Sequence, residues 1–201
     1  MALWPIYEEG SQPVDVWDVL MHGWAARQVF SIRPSWVLDV GSDTLFTAIL
    51  SQFTPVTTID IRPWSCPLPG LTVRQGDVLS LPYASASVPC LTCLSVVEHV
   101  GLGRYADALD PQGSVKALRE LWRVLAPGGH LVLAVPISHT AGVMFNAHRL
   151  LTRESVLSEL PGCRVVEEVA LYPQFGPVEA VKELGEWGYA MLCQTIRKES
   201  Q

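Results

Sequence analysis

Apolar residues recur along this chain in two spacings that alternate from one segment to the next. Short apolar runs that end at a glycine, a proline or an acid predict buried strands, and apolar residues repeated every three or four positions predict helices. Strands are predicted at 36–40, 56–61, 71–75, 88–95, 130–136, 164–171 and 189–197, and helices at 14–30, 44–53, 110–125 and 152–160. Because strands alternate with helices, the pattern predicts an α/β fold with a parallel sheet and right-handed crossovers.

Proline and glycine mark the predicted helix ends and one long loop. Asp110 and Pro111 are typical of a helix start, Thr152 of a helix cap, and the Pro-Gly-Gly triplet at 127–129 of a helix end. Residues 62–70 hold three prolines and end in glycine, which excludes a regular helix there. That segment is therefore predicted to be a loop, at a place where many α/β proteins have a crossover helix.

Composition and charge narrow the class of partners. Of the 201 residues, 49% are apolar and 17% charged, which is typical of a compact globular domain. The net charge of −6 and the pI near 5.3 argue against a nucleic-acid partner. No apolar stretch is long enough to cross a membrane, and the N-terminus does not resemble a signal peptide. We expect a small-molecule substrate, no nucleic-acid or membrane partner, and a cytoplasmic location; the oligomeric state stays open.

The five cysteines are scattered through apolar segments, which favours reduced thiols. Cys90 and Cys93 form a Cys-x-x-Cys pair inside a predicted strand, so their side chains should point to opposite faces of the sheet. Because a second such pair is missing, no metal site is expected.

Acids stand at or just after the ends of consecutive predicted strands. Asp39 lies at the end of the first strand and is followed by Gly41; Asp60 ends the second, Asp77 follows the third and Glu98 follows the fourth. In an open α/β sheet, ligands bind beyond the carboxyl ends of the strands. There a glycine lets the backbone approach a ligand, and carboxylates accept hydrogen bonds from ribose hydroxyls or from an exocyclic amine such as that of adenine.

Five segments, in this order along the chain, resemble motifs of the class I S-adenosylmethionine-dependent methyltransferases: VLDVGS, TTIDIRP, QGDVLSLPY, CLSVVEHV and LRELWRVLAPGGHLVLAVP. Two further segments, VEHVGLGRYADALDPQG and FNAHR, are similar to an uncharacterised branch of that superfamily. The resemblance implies a Rossmann-like methyltransferase fold, a mostly parallel seven-stranded sheet with an antiparallel last strand and helices on both faces. It also implies a single domain over 1–201, with a helical lead-in at 1–33, a cofactor-binding core at 36–136, and a substrate-side loop with closing strands at 137–201.

The resemblance implies S-adenosylmethionine as the cofactor and places seven residues around it. Asp39 and Gly41 would lie beside its methionine part. Asp60 would bind the ribose and Ile61 would pack on the adenine, while Asp77 and Val78 would contact the adenine amine and ring. Ser95 would lie beside the departing methyl group.

The first loop departs from the Gly-x-Gly-x-Gly pattern of that superfamily. It runs Gly41-Ser42-Asp43-Thr44-Leu45, so two glycines are replaced by residues whose side chains would narrow the space for the methionine tail. One alternative is therefore a non-catalytic, methyltransferase-like binding module. A dinucleotide-dependent oxidoreductase fits less well, because Gly-x-Gly-x-x-Gly is missing after the first strand and Asp43 would repel a diphosphate.

Polar residues after the fourth and fifth strands are the candidates for the methyl acceptor's site. Removing a proton from an oxygen acceptor requires a histidine or carboxylate within hydrogen-bond reach, and His99, His148 and Glu98 are the candidates. The predicted substrate contacts are Arg104, Tyr105, Asn146 and Arg149, which suit a small polar acceptor such as an oxygen-bearing metabolite or sugar. The structural alternatives are that Glu98 and His99 simply begin a helix and that Arg104 pairs with a nearby aspartate.

Overall fold

The computed structural model describes residues 15–65, 67–105, 107–172, 176–179 and 188–200. The helices are α1 (Val16–Ile32), α2 (Thr44–Leu50), α3 (Gly113–Val124) and α4 (Arg153–Leu157), and a 3-10 turn spans Val97–His99. The strands are β1 (Val37–Val40), β2 (Val56–Asp60), β3 (Leu71–Gln75), β4 (Val88–Leu94), β5 (Leu125–Ser138), β6 (Gly142–Val143), β7 (Arg149–Leu150), β8 (Cys163–Tyr172), β9 (Gly176–Glu179) and β10 (Tyr189–Lys198). None of these helices has the length and apolar character that crossing a membrane requires.

The main sheet has the strand order β3-β2-β1-β4-β5-β10-β8-β9. Strands β1 to β5 pair in parallel, and β10 lies antiparallel between β5 and β8. The predicted α/β class, with a mostly parallel sheet and an antiparallel last strand, is confirmed. Sequence patterning did not predict β9, a four-residue edge strand antiparallel to β8, or the small separate ladder of β6 and β7.

Helices cover both faces of the sheet. On one face, α1 and α2 bury Trp24 and Phe46 against the sheet, and on the other face Leu121 of α3 and Val156 of α4 are buried. Such double cover explains why the central strands are apolar nearly throughout. Cys90 packs into the first of these cores and Cys93 into the second, as the alternation of a strand requires.

The predicted ends of α3 differ from the observed ones. The helix begins at Gly113 rather than at Asp110, because residues 110–112 form a turn in which the Asp110 carboxylate accepts from Gln112 N. It ends at Val124, and β5 starts at once with Leu125 paired to Val88. The Pro-Gly-Gly triplet therefore lies within the irregular first part of β5, where the register shifts, rather than in a loop before it.

The first turn of α3 touches the loop that follows β4. A Cβ added at Gly113 would lie 2.3 Å from the carbonyl oxygen of Val100, one residue after the 3-10 turn. Only a residue without a side chain lets these two backbones approach so closely. The position of residues 97–100 above the sheet thus depends on Gly113.

We expect Gly113→Ala to lower the free energy of unfolding by roughly 1–3 kcal/mol, because the added methyl group forces the backbones apart. Gly23→Ala is the matched control in α1, since a Cβ there meets nothing within 4 Å. It should raise stability by about 0.5–1 kcal/mol through the helix preference for alanine. Urea denaturation of both variants measures the difference, and equal effects would contradict the close packing.

Candidate functional site

A narrow cleft of about 130 Å³ opens at the carboxyl ends of the parallel strands. Five residues predicted to bind the cofactor line it together: Gly41, Asp60, Ile61, Asp77 and Val78. The loop after β4 forms the facing wall, with Val96, His99, Val100, Tyr105 and Asp107. The cleft therefore lies between the β1–β3 half of the sheet edge and the segment that follows β4.

Glycines shape the floor of this cleft. Gly41 has a φ of +65°, and a Cβ there would lie 3.3 Å from both methyl groups of Val96. Gly76, just before Asp77, would place a Cβ 2.7 Å from the Ile59 side chain. A side chain at either position would have to displace its neighbour, so both positions beside the cleft favour glycine.

Each of the two acids in the cleft is oriented by a hydrogen bond from a backbone N–H two residues further along the chain. Oδ1 of Asp60 accepts from Arg62 N at 2.6 Å, and Oδ1 of Asp77 accepts from Leu79 N at 2.8 Å. In the described part of the chain, neither carboxylate has a hydrogen bond to its second oxygen. Each acid therefore keeps one acceptor oxygen for a ligand.

Asp39 does not line the cleft, contrary to the expectation that it flanks the cofactor. It is fully buried, and its two oxygens accept from the hydroxyls of Thr58 and Thr92, both at 2.7 Å, and from Ser42 N at 3.3 Å. Burial raises the pKa of this carboxyl. Both of its oxygens therefore accept hydrogen bonds inside the protein, and one of these bonds orients the first loop at Ser42.

The residues of the first loop after Gly41 do not line the cleft; two of them, Asp43 and Leu45, stand where the Gly-x-Gly-x-Gly pattern has glycine. The Ser42 hydroxyl accepts from Leu94 N at 3.1 Å, in the seam between β1 and β4. The Asp43 carboxylate caps α2 by accepting from Leu45 N and Phe46 N. Leu45 is 66% exposed, and neither Asp43 nor Leu45 lines the cleft, so the expected narrowing by the residues that replace glycine is not observed.

Arg62 and Tyr105 meet across the cleft. The guanidinium carbon of Arg62, in the loop after β2, lies 4.2 Å from the centroid of the Tyr105 ring, in the loop after β4. This cation–π distance is short enough to hold the two loops together. Arg62 was not predicted as a site residue; Tyr105 was predicted as a substrate contact but lies at the cleft.

A second group of side chains, which we call the polar cluster, lies beyond the ends of β4 and β5. It consists of Ser95, Glu98, His99, His148 and Tyr189. The Ser95 hydroxyl donates to Oε1 of Glu98 at 2.7 Å, and Nε2 of His99 lies 3.9 Å from the same oxygen. The ring of His99 meets that of His148 edge-on at 5.9 Å, and His148 stacks on Tyr189 at 6.1 Å.

The backbone of Ser95 is in an unusual conformation. Its φ is +55°, a region that favours glycine, and the serine is kept there by its N–H bond to Ala134 O and by the hydroxyl bond to Glu98. Such strain persists only where the surroundings fix it, and it is typical of functional sites. Ser95 does not line the cleft itself but connects the end of β4 to the polar cluster.

The charges of the polar cluster are shifted toward neutral forms. Burial raises the pKa of Glu98 to about 7 despite the bond from Ser95. Burial, Arg104 and His148 lower the pKa of His99 to about 4, and burial together with Arg104 lowers the pKa of His148. Burial and the nearby Glu98 raise the pKa of Tyr189 to about 12. At neutral pH both histidines are therefore uncharged and Glu98 is the group that titrates.

Arg149, which was predicted as a substrate contact, has its hydrogen-bond partners within the chain. Its buried guanidinium donates to the carbonyl oxygens of Val100, Gly101 and Asp110 and to the hydroxyl of Ser114. These bonds fasten β7 to the loop after β4. Arg149 thus has several hydrogen-bond partners, and all of those observed lie within the chain.

The other two predicted substrate contacts are exposed. Arg104 donates to Ala147 O at 2.7 Å and pairs with no aspartate, whereas Asp110 pairs with Lys116 and Asp107 accepts from backbone N–H groups. Asn146 lies in the turn between β6 and β7 with a φ of +55°. Both residues border the polar cluster rather than belong to it.

We expect Asp39→Ala to lower the free energy of unfolding by at least about 3 kcal/mol, because the variant leaves two hydroxyls and one N–H buried without an acceptor. Asp39→Asn keeps one carbonyl oxygen and the side-chain shape, so it should be affected less. Chemical denaturation at pH 7 compares the two variants. A loss below 1 kcal/mol in Asp39→Ala would mean that the network does not support the sheet edge.

Glu98→Gln should become more stable than the wild type as pH rises. The raised pKa of Glu98 stabilises the protonated folded form below pH 4.5, and this contribution is lost as pH rises through about 7. The neutral amide avoids the loss, so the variant should gain about 3 kcal/mol relative to the wild type between pH 4.5 and 8. Urea unfolding across this range measures it. Similar stabilities at pH 4.5 serve as the internal control, and a constant difference would contradict the shift.

Comparisons with known proteins agree with this architecture. A family model described as "Caenorhabditis protein of unknown function, DUF268" matches residues 83–157, the stretch that holds the polar motifs after β4 and β5. The demethylmenaquinone methyltransferase of Deinococcus radiodurans is 32% identical over 146 residues, which are 63% of this chain and 56% of that protein. The chain thus spans little more than half the length of this relative.

Solved structures share the fold at low sequence identity. The Burkholderia thailandensis 1,6-didemethyltoxoflavin-N1-methyltransferase, with bound 1,6-didemethyltoxoflavin and S-adenosylhomocysteine, has a TM-score of 0.67 and 18% identity over 92% of this chain and 82% of that one. The [4+2]-cyclase SpnF has a TM-score of 0.59 and 16% identity over 88% and 81%. Since the fold also serves a cyclase, it does not by itself fix the reaction. The chain has the Rossmann-like fold of the class I methyltransferases.

Proposed function

We propose that this chain is an S-adenosylmethionine-dependent methyltransferase that binds the cofactor in the cleft and methylates a small polar acceptor beside the polar cluster. The observation that carries the proposal is that Asp60 and Asp77 line one cleft, whose floor contains Gly41. Two acids with open acceptor positions, set apart by apolar walls, fit a ligand with a ribose diol and an exocyclic amine.

The residues of the cleft fit the nucleoside part of this cofactor. Asp60 would accept from the ribose hydroxyls, and Asp77 from the adenine amine. Ile61 is 40% exposed and Val78 lies beside it in the same wall, so the two present an apolar surface to a flat ring. Gly41, which must lack a side chain, lets the remainder of the cofactor pass toward Ser95.

The cleft has to widen to accept the whole cofactor. Its volume of about 130 Å³ is below the roughly 300 Å³ at which pockets for ligands of this size begin. The contact between Arg62 and Tyr105 bridges its opening, and both residues belong to loops rather than to the sheet. Separation of that pair is the smallest change that enlarges the cleft.

The cofactor supplies an electrophilic methyl group; the chain positions the acceptor and removes its proton. Methyl transfer depends chiefly on alignment and on exclusion of water. His99 lines the cleft and also contacts the polar cluster, so it joins the two regions. Glu98, His99 and His148 are the groups near this junction that can take a proton.

The names of the relatives favour a small molecule as the acceptor. The Deinococcus radiodurans relative is a demethylmenaquinone methyltransferase, and the Burkholderia thailandensis structure holds 1,6-didemethyltoxoflavin. An oxygen-bearing metabolite or a sugar would suit the polar side chains beside Ser95. The alternative of a non-catalytic module rested on the altered first loop, and it loses that support because Asp43 caps α2 and neither Asp43 nor Leu45 lines the cleft.

Isothermal titration calorimetry with S-adenosylmethionine and S-adenosylhomocysteine tests the proposal. The wild type should bind both, and Asp60→Ala should weaken binding at least about tenfold, because charge-assisted bonds to the ribose are lost. Asp18→Ala, on the exposed side of α1, is the control and should bind like the wild type. The absence of binding to the wild type would reject the proposed function, and wild-type affinity in Asp60→Ala would remove that residue from the site.

A further inference from the structure

We propose that Oε2 of Glu98 is the proton acceptor of this site, with His99 and His148 as neutral hydrogen-bond partners, and that the acceptor molecules it takes carry an N–H or O–H and no negative charge. The inference rests on the proposed function and names the base and the substrate class for it.

Unpartnered buried atoms mark the place. Within the described residues, five buried side-chain polar atoms have no hydrogen-bond partner, and three of them belong to the polar cluster: Glu98 Oε2, His99 Nδ1 and His148 Nε2. Each such atom costs about 1–3 kcal/mol when it is left unpaired, so their concentration in contacting side chains is not expected by chance. A ligand with several hydrogen-bonding groups would satisfy them together.

The geometry at Glu98 separates its two oxygens by role. Oε1 accepts from the Ser95 hydroxyl at 2.7 Å, which fixes the carboxyl group, and Oε2 has no partner although the side chain is fully buried. Nε2 of His99 is 3.9 Å from Oε1, too far for a direct hydrogen bond. The free oxygen is therefore held in one orientation and is open to a proton from a bound molecule.

The surroundings favour Glu98 over the histidines as the base. A general base works best when its pKa is close to the pH of the medium. The pKa of Glu98 is raised to about 7, while that of His99 is lowered to about 4 and that of His148 is lowered too. The histidines therefore bind protons too weakly at neutral pH, and they remain neutral donors and acceptors.

Other charged or titratable groups around Glu98 agree with this assignment. Cys93 of β4 has a pKa raised by burial, Asp39 and Glu98, and Tyr189 of β10 has one raised to about 12 by burial and Glu98, so both stay protonated. Burial, and after it the charge of Arg104 in the loop after β4, lowers the pKa of both histidines, and the carboxylate of Asp107 accepts from Gly101 N and Tyr105 N. Among these groups, Glu98 alone changes charge near neutral pH.

The same arrangement sets the charge of the acceptor. Arg149, the buried cation nearest the cluster in the chain, is committed to carbonyl oxygens, and Arg104 lies at the exposed rim. An anion that entered the cluster would find no uncommitted buried cationic side chain among the described residues, and it would face the Glu98 carboxylate. A neutral molecule that donates from nitrogen or oxygen meets neither obstacle.

The proposed methyl transfer balances in protons and electrons. A lone pair on the acceptor nitrogen or oxygen forms the new bond to the methyl carbon, the pair of the broken carbon–sulfur bond stays on sulfur, and the acceptor's proton passes to Oε2 of Glu98. The products are a methylated acceptor, the neutral thioether and a protonated Glu98, which returns its proton to water when the products leave.

The first test locates the titrating group without any acceptor. A ¹³C NMR titration of side-chain carboxyls and a ring-resonance titration of histidines are assigned with Glu98→Gln, His99→Gln and His148→Gln. We expect the Glu98 carboxyl to titrate near pH 7 and the His99 ring below pH 5. Titration of Glu98 near 4.5, with either histidine near 6.5, would overturn the assignment of the base.

The second test uses probe acceptors with protein saturated by S-adenosylmethionine at pH 8. The probes are phenol, aniline and imidazole, with benzoate and phenyl phosphate as anions. Methylation should be confined to the first three. Methylation confined to the anions, or of no probe by a protein that binds the cofactor, would overturn the substrate class while leaving the proposed function standing. Failure to bind the cofactor would instead reject the function.

Pyridine, which is neutral at pH 8 and has no proton to lose when its nitrogen is methylated, separates proton removal from positioning. Glu98→Gln should lower transfer to phenol by at least about 100-fold, the usual contribution of a general base, and transfer to pyridine by only a few-fold. His99→Gln should lower transfer to both probes to a similar extent, as expected for a positioning residue. Equal losses on both probes in Glu98→Gln would show that Glu98 only positions the acceptor.

Discussion

The buried carboxylate of Asp39 is the interaction on which the geometry of the sheet edge depends. Thr58 of β2 and Thr92 of β4 are its direct register partners on either side of β1, and both donate to it. Three strands are thereby joined at the point where they end. The same carboxylate accepts from Ser42 N, so the loop that begins with Gly41 leaves the sheet in a fixed direction.

The two regions of the site have different physical characters. The acids of the cleft are at least partly exposed, and their orientation comes from local turns. In the polar cluster Glu98 is fully buried and the other members are partly buried; the cluster contains unpaired atoms and begins at a serine with a positive φ. Natural sequences violate the rules of local preference and polar satisfaction chiefly where function requires it. The unfavourable backbone conformation and the unpaired polar atoms of the site are thus found in the polar cluster, while the cleft destabilises the fold little.

Sequence patterning predicted where the main strands lie along the chain, because apolar runs mark them. It also predicted the sheet edge at which the acids gather, because parallel strands end at the same edge. It could not predict which way each acid faces. Asp39 and Asp60 both lie at the ends of strands, yet Asp39 has a hydroxyl on each neighbouring strand and turns inward. The hydroxyls of Thr58 and Thr92 were a usable signal once the strand register was known. Tyr189 had no such signal, since it reaches His148 only through the antiparallel return of β10.

The bonds of Arg149 have a mechanical consequence for the two histidines. His148 immediately precedes Arg149, and His99 immediately precedes Val100, whose carbonyl oxygen the guanidinium binds. One side chain therefore ties together two segments that are almost fifty residues apart in the chain, each at a point next to a histidine. Since the guanidinium also binds the carbonyl oxygens of Gly101 and Asp110, several hydrogen bonds join the two segments into one connected body. A molecule that reaches Glu98 has to pass around this body, because the histidines cannot separate to let it through without breaking several buried, charge-assisted bonds.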